Sequence, residues 1–229
     1  MKCRKCKGAA VKNGKQFNGG QRYYCNSCKH SFQRSYPYNA CNHKVDNKIF
    51  LLQNESVGIC DISRILRISK STVLKRIKSK GSVIEKPTLK ETQQYYEVDE
   101  MRVVVGSKKE QAWVTYAINR HTKKIIDFMV GRRTRENISK VISSVLELNP
   151  KQIATDRLRT YGNLIPKRIH ETRKSCTTVI ERNNLTLRTR LKRLSRKTIC
   201  FSKSLEMLEA ILKIYFWGTS VFEVRTETI

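Results

Sequence analysis

The stretch YYEVDEMRVVV, Tyr95–Val105, marks the point at which this chain changes period. It is the first of three β-branched or aromatic runs separated by short polar turns; the others are AWVTYAIN (Ala112–Asn119) and KKIIDFMVG (Lys123–Gly131). Such a succession predicts three antiparallel strands. The next segment, TRENISKVISSVLELN, puts Ile138, Val141, Ile142, Val145 and Leu146 on one face of a helix, and after Pro150 comes another apolar strand, KQIATD, ending at Asp156. A helical connection between strands favours parallel pairing. The order is that of an α/β domain.

Farther on, VIERNNLTLRTRLKRL (Val179–Leu194) places Ile180, Leu187, Leu191 and Leu194 in one helical stripe, with Glu181, Asn184 and Arg188 on the neighbouring face. Glu181 precedes four arginines and a lysine, and the plainest role for it is a surface ion pair. Strand pairing gives it a second role. If the strand ending at Asp156 runs parallel to the strand holding Asp99, the two carboxylates meet, and the late helix can lay Glu181 against them. Three acids in one cleft repel unless a divalent cation neutralises them, and hard oxygen ligands favour magnesium or manganese. Alternation puts Glu97 on the face of Asp99 and Glu100 on the other, so Glu97 is the substitute ligand. Trp113 and Tyr116 read as core, Asp127 as a turn or edge residue, and Tyr161 is open. Arg132 and Arg133 in GRRT suit phosphate or a solvated turn.

Toward the N-terminus, Cys3 and Cys6, then Cys25 and Cys28, form a C-x2-C…C-x2-C pattern with eighteen residues, Lys7–Tyr24, between the pairs. Two tight turns that each present two thiolates close a tetrahedral structural zinc site with no open position. In so short a module the metal also supplies folding energy. QFNGGQRYYC reads as strand, Gly-Gly turn and strand, which makes residues 1–38 a zinc ribbon. Cys41, Cys60, Cys176 and Cys200 lack ligand spacing and read as buried small apolar residues, while His30 and His43 read as surface or turn residues. Residues 44–80 carry three short helical patterns, the second capped by Asp61 and the third by Ser69. They resemble a helix-turn-helix that shows Lys70, Ser71, Lys75 and Arg76 to a major groove, with plain trihelical packing as the alternative. The polar, proline-containing segment 81–94 reads as a linker to a domain spanning 95–229.

Composition narrows the partners. Forty-seven Lys and Arg against nineteen Asp and Glu give a net charge of +28, and a pI near 10.1 implies a polyanionic partner, with binding that weakens steeply in salt. The basic residues recur along the whole chain, so several surfaces are expected to touch phosphate. No apolar run reaches a membrane-spanning length, and MKCRKCKG lacks the apolar centre of a signal peptide. A cytoplasmic, nucleoid-associated protein with reduced cysteines is expected.

Four segments, VDEMRVVVGSKKEQAWVTYAINR, GRRTRENI, ATDRLRTYGNLIP and IERNNLTLRTRLKRLSRKT, resemble the bacterial insertion-sequence-one transposases of the DDE class. The likeness reads from MKCRKCKG through YFW. It implies a ribonuclease-H-like catalytic domain, Asp99, Asp156 and Glu181 as the acidic triad, and Arg188 as a DNA-contacting residue. Arg190 and Lys192 would hold phosphates beside it. It further implies metal-dependent cleavage and strand transfer on double-stranded DNA, and at least a dimer when two element ends are brought together. Met101-Arg102 and Arg157 depart from the family pattern around the two Asp residues. The rival readings are a non-catalytic DNA-binding regulator and a nuclease that does not join. The last residues, GTSVFEVRTETI, read as a tail or a short extra strand.

Overall fold

The computed structural model describes residues 1–36, 38–42, 44–88, 92–107, 110–173 and 176–218; His43 and the tail from residue 219 lie outside the described residues. At the N-terminus β1 (Ala10–Lys15), β2 (Gln21–Cys25) and β3 (Ser31–Gln33) form an antiparallel sheet in the order β1-β2-β3. The first strand falls earlier than the sequence suggests, because Gln16–Gly20 is spent on the turn: the Gln16 and Gly20 backbones bond each other and Gly19 has φ +77. A small core of Cys3, Ala10, Cys25 and Phe32 lies beneath the sheet.

Three helices follow, α1 (Lys44–Asn54), α2 (Ile59–Leu66) and α3 (Lys70–Val83). Ser69 caps α3 by accepting from the Thr72 amide, as its position predicts. Asp61 does not cap α2. Gly58 holds that position, and Asp61 sits in the first turn, paired with Arg64. Arg67, left-handed at φ 50, ends α2 and turns the chain into α3.

The second sheet has five strands in the order β6-β5-β4-β7-β8. β4 (Tyr95–Val104), β5 (Gln111–Asn119) and β6 (Ile125–Gly131) are antiparallel; β7 (Gln152–Ala154) and the two-residue β8 (His170–Glu171) run parallel to β4. Between β6 and β7 lies α4 (Arg135–Leu146), and α5 (Arg159–Leu164) follows β7. α6 (Thr178–Arg190) and α7 (Leu205–Trp217) complete the described chain. None of the described helices is long and apolar enough to cross a membrane.

Alternation along β4 and β5 sorts the core into two layers. Tyr96, Val98 and Ala117 pack against α4 and Tyr161 on one face. Met101, Val103, Val114, Tyr116 and Ile118 pack on the other face against α6 and α7. That second cluster continues without a break into Ile49, Ile62, Val73 and Ile77 of the three N-terminal helices. The segment from Gly81 is therefore not a free linker at its start. α3 runs on to Val83 and packs on α7 so closely that a Cβ on Gly81 would lie 2.4 Å from the Ala210 Cβ. Ion pairs Lys78–Glu206 and Lys86–Asp127 tie the same region to the sheet domain.

Candidate functional site

Two groups of side chains among the described residues can hold a metal ion. In the first, the sulfurs of Cys3, Cys6, Cys25 and Cys28 all lie within 4.8 Å of one another. The Cys3–Cys28 and Cys6–Cys25 sulfurs are 3.6 and 3.5 Å apart, far too long for a disulfide and close to the roughly 3.8 Å edge of a tetrahedron with zinc–sulfur bonds of about 2.3 Å. Backbone amides favour the thiolates. The Cys6 amide lowers the Cys3 thiol, and the Cys28 amide brings Cys25 down to about 6. Cys28 also has a favourable amide, from His30, yet burial and the three neighbouring sulfurs push it up to about 12. Four thiolates without a cation repel, so this donor set fits a soft dication.

The second group is Asp99, Glu100 and Asp156, each offering an oxygen within 4.8 Å of the others. β7 pairs with β4 only as far as Ala154, opposite Glu97. Past that point the edge of β4 is open, and carboxylates from both of its faces can reach Asp156, which lies beyond the carboxyl end of β7. The cluster therefore sits at the carboxyl end of β7 and halfway along β4. Burial pushes the Asp99 carboxyl up, the Asp156 and Glu181 charges add to the shift, and the Glu100 amide and Asn184 oppose it. Asn184 Nδ2 donates to Asp99 Oδ2 at 2.7 Å and takes a bond from the Tyr116 hydroxyl at 2.8 Å, which orients the carboxylate. Oxygen donors in this number fit a hard divalent cation.

Glu100 arrives here although alternation sends it to the other face. Its two oxygens face the Arg133 guanidinium at 3.3 and 3.5 Å, and Arg133 Nη2 is 4.0 Å from Asp156 Oδ2. The same guanidinium stacks 4.7 Å from the Trp113 ring centre. Arg133 is thus held by local partners while its side chain stays partly exposed; Arg132 beside it is exposed. Tyr161 is fully buried with its hydroxyl toward Glu100, and burial first, then the Glu100, Asp99 and Asp156 charges, disfavour its ionisation.

Glu181 stands in the first turn of α6 outside the three-oxygen group, its Oε1 accepting from Thr177 Oγ1 at 2.9 Å. The helix that carries it is fixed by Glu97. This carboxylate is wholly buried; Oε2 accepts from the Ile180 amide at 2.8 Å and Oε1 from Arg120 Nε at 2.9 Å. Arg120 also bonds the Cys176 carbonyl. Glu97 is committed to this lock and is not free to replace a ligand, contrary to the sequence reading. Arg188 lies partly buried on the Asp99 side of α6 with Nη1 unpartnered; burial lowers its pKa and Asp99 works the other way. Arg190 and Lys192 are exposed.

On α3, Lys70, Ser71 and Lys75 are exposed. Arg76 is half-buried: it pairs with Asp46 at 2.9 Å and bonds the Ala40 carbonyl, so it braces α1. Of the four unpaired cysteines, Cys176 alone is buried; Cys41, Cys60 and Cys200 are exposed, against expectation. Asp127, on the edge strand β6, takes Lys86 and Ser144. The Glu97–Arg120 lock and the Arg133–Glu100 pair escape sequence reasoning because their partners lie 23 and 33 residues apart. Asn184 carries a signal, its shared helix face with Glu181.

Comparison with known proteins gives a match to the IS1 transposase family over residues 94–220. The chain is 44% identical over 116 residues to the insertion element iso-IS1n protein InsB of Shigella dysenteriae, covering 51% of this chain and 88% of that protein. It is 34% identical over 119 residues to the insertion element IS1 2 protein InsB of Escherichia coli strain K12, covering 52% and 71%. Among solved structures, the HTLV-2 integrase catalytic core domain in complex with magnesium aligns over 56% of this chain and 88% of that one at 11% identity, with a TM-score of 0.37.

Proposed function

Because this chain belongs to the IS1 transposase family, we propose that it binds the ends of an insertion sequence and catalyses metal-dependent DNA cleavage and strand transfer. Asp99 and Asp156 are the fixed ligands for magnesium or manganese, and Glu181 is the third, reached by turning its side chain away from Thr177. The observation that carries this reading is the meeting of Asp99 and Asp156, 57 positions apart in the chain, where β7 ends alongside the middle of β4. The strand order, with three antiparallel strands and then parallel additions beside β4, supports a ribonuclease-H-like catalytic domain over residues 95–229.

Bound divalent cations would activate the attacking water or DNA 3′-hydroxyl and offset charge on the leaving oxygen. The protein supplies the rest. Asn184 and Tyr116 hold Asp99 in one orientation, the Glu97–Arg120 lock fixes the register of α6, and Arg133 balances charge beside Asp156. Arg188 on the Asp99 side of α6, with Arg190 at its end and Lys192 just beyond it, would hold phosphate. The N-terminal module is read as a zinc ribbon, supported by the four-sulfur cage, and α1–α3 as a helix-turn-helix presenting Lys70, Ser71 and Lys75 to DNA. At least two protomers are needed when two ends are joined.

The test incubates the protein with DNA carrying the element ends and magnesium. Joined products support the proposal; nicking without joining indicates a nuclease, and intact bound DNA a regulator. Asp156→Asn abolishes joining and leaves binding nearly unchanged; joining that survives removes Asp156 from the site.

A further inference from the structure

Residues 1–45 hold ten Lys and Arg and no Asp or Glu; Asp46 is the first acid of the chain. All ten cations are exposed, and among the described residues none of them pairs with a carboxylate. So one-sided a charge points to a polyanion as the partner of this module.

The β1–β2 hairpin is the part that projects. Every residue from Val11 to Gly19 is exposed. Its tip is a three-residue loop: the Gly19 amide donates to the Gln16 carbonyl and the Gln16 amide to the Gly20 carbonyl, both at 2.9 Å, and Gly19 takes the left-handed conformation on which such a loop ends. Asn18 Oδ1 accepts from the Gly20 amide at 3.1 Å. Below the tip, Gln21 Nε2 donates to the Gly14 carbonyl at 2.9 Å and Arg22 Nε to the Asn13 carbonyl at 3.0 Å, so the two strands are braced across the hairpin. At the apex stands Phe17, 111% exposed, more than any other large apolar side chain among the described residues. The first central position of a turn accepts most residues, so turn geometry does not account for the ring.

A lone exposed apolar residue is ordinary. This one crowns a braced finger with Lys12 and Lys15 along it, Gln16 and Asn18 on either side of the ring, and no acid anywhere in the module. Proteins that kink DNA drive an apolar wedge such as Phe between two base pairs, with Lys, Arg, Asn and Gln around it, and β-ribbons are among the elements that enter DNA grooves. We propose that the β1–β2 hairpin enters a groove of the bound DNA and wedges Phe17 between two base pairs, with Lys12 and Lys15 on the flanking phosphates, so that binding kinks the duplex. This rests on the DNA-binding reading above and adds to it a deformation of the DNA.

The test measures energy transfer between dyes at the two ends of a duplex of about 30 base pairs with a central thymine–adenine step, a kind that kinks easily, bound by the zinc-loaded full chain. The parent should draw the ends together, as a kink of about 20–90° requires. At saturating protein Phe17→Ala should abolish that change while its affinity falls by no more than about tenfold, because the cost of unstacking offsets much of the ring's contact. Phe17→Leu, still a wedge, should keep most of the bend. Zinc content and melting temperature should match the parent in both variants, because the ring is fully exposed. Lys12→Gln combined with Lys15→Gln should flatten the slope of log affinity against log salt by about two, one per phosphate contact; an unchanged slope overturns this placement of the hairpin. A parent that binds the duplex without bending it, or a bend kept in Phe17→Ala, overturns the proposal and leaves the DNA-binding reading standing. A parent that binds no duplex overturns both, and Phe17-dependent sedimentation with phosphatidylserine vesicles would then assign the tip to a membrane surface.

Discussion

Replacing Glu97 by Gln keeps the shape of the side chain and removes its charge, which isolates the lock between β4 and α6. In the parent, one oxygen takes Arg120 Nε at 2.9 Å and the other the Ile180 amide at 2.8 Å, with the carboxylate wholly buried. Removing one partner of a buried ion pair costs about 3–5 kcal/mol. The amide keeps one acceptor, and the Arg120 side chain, 29% exposed, regains some water, so the lower end of that range, about 3 kcal/mol, applies. For a chain of this length each kcal/mol moves the midpoint by about 2–4 °C, so thermal unfolding should shift down by about 6–12 °C. The shift should be present without any divalent cation. Adding Arg120→Met should then cost much less than it does in the parent, because the pair is already broken. An unchanged melting temperature together with a collapse of manganese affinity would refute the reasoning and make Glu97 a ligand.

Gly81→Val should lower stability by about 1–3 kcal/mol, read by urea unfolding, because even the first added carbon would meet the Ala210 Cβ at 2.4 Å and the Ala210 Cα at 2.5 Å. Unaltered stability would mean that α3 and α7 do not pack as described. Cys25→Ser should strip zinc from the N-terminal module, measured by plasma mass spectrometry, and loosen recognition of element ends; full zinc content would contradict the four-sulfur site.

Local signals carried much of the architecture. The period-2 runs from Tyr95 and the helical stripe from Ile138 are short-range patterns, and they appear as β4–β6 and α4 because burial of one face rewards each directly. The helical connection α4 from β6 makes β7 parallel to β6 and hence to β4, and β7 pairs beside β4, which is how the Asp99–Asp156 meeting could be anticipated from sequence. Ser69 foretold the start of α3 by the same local logic, whereas Asp61 lost the cap of α2 to Gly58. The unforeseen features depend on where strands stop. Glu100 joins the cluster because β7 ends at Ala154 and leaves the edge of β4 open, a length no residue pattern announces. The ion pairs of Arg76 and Arg133 were not foreseen because their acids, Asp46 and Glu100, are distant in sequence. The continuous core between the N-terminal helices and the sheet was hidden for a similar reason: Gly81 looks like a linker residue until α7 is placed against it.

The central claim, that Asp99, Asp156 and Glu181 together grip the divalent cation, is tested most directly by calorimetric titration of manganese into the parent and into Asp99→Asn, Asp156→Asn, Glu181→Gln and Glu100→Gln. The first three variants should each lose about tenfold or more in affinity, at least the loss seen when a partner of a metal ligand is removed. Glu100→Gln should change little, because Arg133 holds both of its oxygens. Undiminished binding in Glu181→Gln with a collapse in Glu100→Gln would contradict the account and move the third ligand from α6 to β4.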